Sequence, residues 1–134
     1  MQPTDPAPPW RRTRVARPVR DLAASRAFYA GLLGLREQGS FTGHAGYNGC
    51  FLGLPGGGQL ELTTGGPDPV PQTADDLLVL YLADRAELNA AVDRLVAAAV
   101  LRVTAENPYW EEHGATFVDP DGYRLVIAMD EPAR

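Results

Sequence analysis

The chain has 134 residues, 45% of them hydrophobic and 22% charged, with a net charge of −5. That length suits one soluble domain with a real core, and the acidic balance excludes the basic face that nucleic acid requires. No run approaches the roughly 18 apolar residues of a membrane span, no apolar leader opens the chain, and a single cysteine, Cys50, allows neither an internal disulfide nor a thiolate zinc site. A cytoplasmic protein with no membrane partner is expected.

Residues 1–12 read as a flexible proline-rich arm carrying Trp10. "RVARPVRD" (14–21) then alternates as a strand and passes through Asp21 into "LAASRAFYAGLLG". There Ala24, Phe28 and Leu32 share a helical stripe, Asp21 suits the N-cap and Gly34 the C-cap. Three β-like runs follow, "LREQGSF", "YNGCFLGLP" and "GQLELTT". "LPGGGQ" precedes no helix and holds no basic residue, so it is a hairpin turn rather than a phosphate cradle. "TTGGPDPVPQTADD" is a Gly- and Pro-rich linker.

Beyond it "LLVLYLAD" (77–84) is a continuous apolar strand, again ending in Asp, and "RAELNAAVDRLVAAAV" carries the stripe Leu88, Ala91 or Val92, Leu95 and Ala99. Asp21 and Asp84 lie 63 positions apart, as do Leu32 and Leu95. "LRVTA", "ATFVDP" and "YRLVIAM" complete the second half. Between the last two, Asp119-Pro120-Asp121-Gly122 has the residues of a type I turn. Each half is strand–helix–strand–strand–strand, and two such units must pair to bury their sheets. The expectation is an α+β fold of one domain, 13–130, with module one at 13–64, a linker at 65–75 and module two at 76–130, the helices on one face and a cleft on the other.

"VRDLAASRAFYAGLLGL" resembles the strand-to-helix signature of the vicinal oxygen chelate superfamily, which includes glyoxalase I, bleomycin resistance proteins and extradiol dioxygenases. "VDPDGYRLVIA" resembles its last hairpin, and "GHAGYNG", "FLGLP" and "ENPYW" are similar to a small bacterial subgroup of the YycE type. The resemblance implies two βαβββ modules around a cleft, usually in a homodimer. In the enzymes it implies nickel, zinc, manganese or ferrous iron held by four side chains, one from the first and last strand of each module. Those positions fall here on Arg14, Glu61, Leu77 (or Leu78, one residue on) and Val126. Only Glu61 keeps a ligand, and a guanidinium does not coordinate a cation. The expectation is therefore no metal and no cofactor, with the charged groups of Arg14 and Glu61 within a few ångströms of each other.

Further ligand-contact candidates divide between function and packing. "ENPYWEEHG" places Asn107, Tyr109, Trp110 and His113 in one loop, which either grips a planar or cationic ligand or plugs a sheet edge. His113 serves as an acid–base group or as a surface residue. His44 and Tyr47 either contact ligand at the cleft mouth or form a polar turn. Tyr81 and Arg124, on strands of the second module, can enter the cleft, and Cys50 reads as a small core residue. Four functions follow: a metal-free binder similar in logic to bleomycin resistance proteins; a metal-dependent lyase, isomerase or dioxygenase with a displaced site recruiting His44 or His113 beside Glu61; a metal-free enzyme using Glu61 or a histidine as base and Arg14 to hold an oxyanion; or a dimerisation unit.

Overall fold

In the computed structural model, which describes residues 6–130, the β-like runs pair into two four-stranded sheets. Residues 1–5 of the expected arm lie outside the described residues. Sheet one has the order β1 (Arg14–Pro18), β4 (Gln59–Thr64), β3 (Tyr47–Gly53), β2 (Glu37–His44). Sheet two repeats it as β5 (Leu77–Leu82), β8 (Arg124–Met129), β7 (Gly114–Val118), β6 (Arg102–Val103). β1 is parallel to β4 and β5 to β8, and the other pairings are antiparallel. A parallel pair cannot be closed by a hairpin, and in each module a helix supplies part of the long crossover. The fold is α+β with two βαβββ modules.

Both aspartates cap their helices. Asp21 Oδ1 accepts the Ala24 N–H at 3.1 Å ahead of α1 (Leu22–Arg26), and Asp84 Oδ1 accepts the Glu87 N–H at 2.9 Å ahead of α2 (Arg85–Ala97). The first helix departs from the expected stripe. After Arg26 it widens into a π-helical turn, Ala27–Leu32, in which the Leu33 N–H reaches Phe28 O at 3.0 Å. The wider turn lets two consecutive aromatics, Phe28 and Tyr29, both face inward. Gly34 then reverses the chain at φ 75°, a conformation a side chain resists.

One core serves both modules: Cys50, Leu52, Leu60 and Leu62 from sheet one, Leu88 and Leu95 from α2, and Phe117, Leu125 and Ile127 from sheet two. Cys50 is fully buried, and burial pushes its thiol pKa up. We therefore expect an aromatic disulfide reagent at pH 8 to leave the native protein unlabelled and to react only across the unfolding transition. Rapid labelling under native conditions would mean that sheet one opens locally.

The turn at 119–122 forms as expected, with the Gly122 N–H donating to Asp119 O at 3.1 Å. Its two carboxylates are then drawn into the joint between modules. Asp119 Oδ2 accepts the Tyr29 hydroxyl at 2.5 Å, and its Oδ1 accepts the N–H groups of Asp121 and Tyr123 at 2.8 and 2.9 Å. Asp121 Oδ1 accepts the Arg20 N–H at 3.1 Å, and Tyr123 Oη donates to Pro18 O at 3.1 Å. At the other end of the joint, Arg94 Nε donates to Leu32 O at 2.9 Å.

Candidate functional site

Alternation along β4 sends Leu60 and Leu62 into the core, so Gln59, Glu61 and Thr63 face the opposite way. The register pairs Arg14 with Gln59 and Ala16 with Glu61, which puts Arg14 on that same face, and Phe51 joins from β3 opposite Glu61. Arg14 Nε and Nη2 donate to Gln59 Oε1 at 3.2 and 2.8 Å, and the Gln59 amide donates to Gln38 Oε1 at 2.8 Å. The guanidinium lies 4.4 Å from the centroid of the Phe51 ring. Its position is thus set by hydrogen bonds on one side and a cation–π contact beneath.

Arg14 Nη1 is 3.9 Å from Glu61 Oε1, the proximity expected from the sequence. That separation is an ion pair but too long for a hydrogen bond. With both side chains partly exposed it contributes on the order of 0–1 kcal/mol, so its interest is chemical rather than structural. Phe41 extends the aromatic floor, its centroid 5.7 Å from that of Phe51. It lies across Gly49, where an added Cβ would come within 2.6 Å of the ring, so only glycine admits this packing. Sequence reading missed Gln38, Phe41, Phe51 and Gln59, because only strand register brings them around Arg14.

The second module repeats the register but not the chemistry. Leu77 pairs with Arg124 as Arg14 does with Gln59, and Val79 pairs with Val126 as Ala16 does with Glu61. That correspondence selects Leu77 over Leu78. Val126 is 0% exposed, and Thr116 and Ala128 on the same face are also fully buried, with α3 (Pro108–His113) packed against β7 and β8. Two expectations are corrected here. β8 does not line an open cleft at Val126, and residues 106–114 are not simply a loop.

α3 is held by local bonds. Asn107 Oδ1 accepts the Tyr109 N–H at 3.0 Å, Pro108 takes the first helical position, and Glu111 Oε1 accepts the Ala105 N–H at 2.9 Å. The Asn-Pro pair was the available signal; six residues are too few for a periodic stripe. Tyr109 stacks on His113 at 4.0 Å between centroids and meets Trp110 edge-on at 5.0 Å. His113 Nδ1 lies 2.8 Å from Tyr109 O, an acceptor, so Nδ1 carries the proton.

The remaining candidates are dispersed. His44 and Tyr47 pair across the tip of the β2–β3 hairpin, the His44 ring 6.3 Å from Phe41. Arg124 Nη1 donates to Thr104 O at 3.3 Å, and Tyr81 is exposed on β5. Asn107 is spent on its helix cap.

A divalent metal does not fit the superfamily's position in this chain. Of the four side chains there, one is a permanent cation and two are aliphatic, Leu77 and the buried Val126. Among the described residues no group of three or more His, Cys, Asp or Glu side chains could hold a metal ion, including any built from Glu61 with His44 or His113.

Paired βαβββ modules of this topology define a vicinal oxygen chelate fold. Residues 13–63 match the family model of the YycE-like N-terminal domain and residues 75–129 that of the YycE-like C-terminal domain. The chain belongs to the YycE-like family. Over 118 residues it is 41% identical to the uncharacterized protein YycE of Bacillus subtilis (strain 168), covering 85% of this chain and 84% of that protein. The crystal structure of a YycE protein of unknown function from Bacillus subtilis is similar at a TM-score of 0.84 and 37% identity, covering 91% of each chain. The fold alone is shared with glyoxalase I of Leishmania major, at a TM-score of 0.70 and 23% identity over 90% of this chain and 86% of that one. It is likewise shared with the fosfomycin resistance protein FosX of Listeria monocytogenes, solved with Mn(II), at a TM-score of 0.71 and 14% identity over 93% and 95%. Among the described residues no helix is long and apolar enough to cross a membrane.

Proposed function

We propose that this protein binds a small organic molecule without a metal ion, in the cytoplasm, on the open face of sheet one, in a cleft completed by a second copy of the chain. The fixed guanidinium of Arg14, over the Phe51 ring and 3.9 Å from Glu61, carries this reading. Side by side, Arg14 offers a donor and Glu61 an acceptor, over a floor of two phenyl rings. The complementary ligand is flat and largely apolar, with a carbonyl next to a hydroxyl or amide N–H. Its binding draws on shape, ring contact and fixed charge. Support for the second copy comes from the sheet edges. β1 and β5 each pair on one side only, and Val15 and Tyr81 on them are 46% and 51% exposed.

The test is a thermal-shift screen of such compounds with and without divalent ions, since a ligand of the native state raises the melting temperature. A hit is expected to act equally in both arms. Arg14→Ala should weaken it at least tenfold, about 1.4 kcal/mol. A hit that needs Mn(II), Zn(II) or Ni(II) and ignores Arg14 would refute the proposal.

A second reading keeps the site and adds turnover. Among the described residues the Glu61 carboxylate has its ion pair with Arg14 and no side-chain hydrogen bond, which suits a base beside an oxyanion-holding cation. Glu61→Gln would then abolish conversion of the bound hit while leaving binding within a few fold. Absence of any product from a saturating hit would decide for binding alone.

A further inference from the structure

An apolar pocket of about 450 Å³ lies away from Arg14 and Glu61, on the α2 side of sheet two. Leu32, Leu35, Pro55, Leu80, Leu82 and Leu95 form its walls. It lies where the two modules meet, bordered by Leu80, Tyr81 and Leu82 of β5, a strand that hydrogen-bonds to β8 alone. An edge strand beside an apolar hollow can accept another chain, whose backbone meets the edge and whose side chain fills the hollow.

The arm before β1 has the matching features. Trp10 is 84% exposed, follows Pro8 and Pro9, and precedes Arg11 and Arg12. The root of the arm is fixed, with Thr13 O accepting the Gln59 N–H at 3.0 Å. Within a single chain the Trp10 indole stays in water. The far end of β5 carries the complementary charge. Asp130 donates its N–H to Leu82 O at 2.7 Å, Asp84 caps α2, and Glu87 Oε1 accepts the Ala83 N–H at 3.0 Å, with Arg85 next in sequence and Arg94, bonded to Leu32 O, in the pocket wall.

We infer that the N-terminal arm of one copy docks on a second copy, with Trp10 seated in this pocket and Arg11 and Arg12 facing Asp84, Glu87 and Asp130. The exchange rests on the dimer proposed above and assigns its orientation. Laying the partner's β1 antiparallel along the free edge of β5 brings the residues before Arg14 to the Leu80–Leu82 end, where the pocket is. A parallel placement would leave the arm at Leu77, away from it. Trp10 precedes Arg14 by four residues, roughly 13 Å of extended chain, which is the scale of such a reach.

The experiment uses Trp110→Phe, which leaves Trp10 as the sole indole, and reads emission and acrylamide quenching against protein concentration. Sedimentation velocity on the same samples gives the oligomeric state. Emission is expected to shift to the blue, and quenching to be lost, in step with dimer formation. Ala91→Glu, in the pocket wall, should abolish the shift. Fluorotryptophan in the unaltered chain resolves Trp10 from Trp110 by fluorine NMR and removes dependence on either variant's folding. A dimer whose Trp10 stays solvated overturns the exchange and spares the dimer. A monomer at every concentration with Trp10 solvated overturns both. Trp10 buried in a monomer means docking within its own chain, and that also overturns the exchange.

Discussion

Val126→Glu is expected to destabilise the protein by about 3–5 kcal/mol at neutral pH. The substitution places a carboxylate at the position where the superfamily resemblance implies a metal ligand, so a reading of the sequence alone would treat it as a repair. The structure says otherwise. Val126 is 0% exposed in sheet two, whose strands β7 and β8 α3 contacts, and its neighbours on the same face are Val79, Thr116 and Ala128. One hydroxyl could serve a new acid. Thr116, directly across the ladder, has a buried Oγ1 with no hydrogen-bond partner. A single hydrogen bond does not offset desolvation of a charge.

The pH dependence follows from the same burial. The introduced carboxyl would have its pKa raised in the folded state, so the penalty is smallest below the unfolded value of about 4.3. It grows as pH rises from there toward the raised folded value. Denaturant unfolding of parent and variant at pH 5 and pH 8 reads this directly. A variant as stable as the parent at pH 8, or one stabilised by added Mn(II) or Zn(II), would mean that module two opens to solvent and ions.

Asp119→Ala is the second large effect, expected at about 3–5 kcal/mol. It would strand three donors in the joint between modules: the Tyr29 hydroxyl and the N–H groups of Asp121 and Tyr123. Asp119 is 5% exposed, so water does not readily replace the carboxylate. Asp119→Asn keeps one acceptor oxygen and should cost less, about 1–3 kcal/mol. Tyr29→Phe should fall in that smaller range. The double variant should cost less than the sum of Asp119→Ala and Tyr29→Phe, because both remove one shared bond. Additive costs would show that the Tyr29–Asp119 contact contributes nothing.

Tyr29 also sets an alkaline limit. Burial first, then the Asp119 charge, pushes its hydroxyl far above the ordinary tyrosine range. A folded pKa above the unfolded one gives stability fully present below about pH 10 and lost as pH rises beyond it. The parent should therefore lose stability more steeply above pH 10 than Tyr29→Phe does. Parallel slopes would remove Tyr29 from the account.

The features legible in the chain are those settled within a few residues. Asp21 and Asp84 cap helices because an Asp oxygen meets an N–H three positions on. The turn at 119–122 and the glycine hairpins are likewise local. The 63-residue offset revealed two modules, and the resemblance to the vicinal oxygen chelate superfamily carried Arg14 and Glu61 to one place. Three things needed the folded chain. The wide turn that buries Tyr29 is tied to Asp119, 90 positions away. Gln59 holds Arg14 across 45 positions. The helix at 108–113 is too short to show a period, and its packing against sheet two depends on strands formed elsewhere.

By itself, then, the sequence determined the class of fold, the module repeat, and the caps and turns, and, set beside the superfamily it resembles, the mismatch of three of the four implied ligand positions with a metal. The tertiary structure alone decided that the open, chemically equipped face belongs to module one and that the matching face of module two is covered. The reason is physical. Backbone chemistry over three or four residues is written in neighbouring letters, whereas burial of a face depends on which distant segment comes to lie on it.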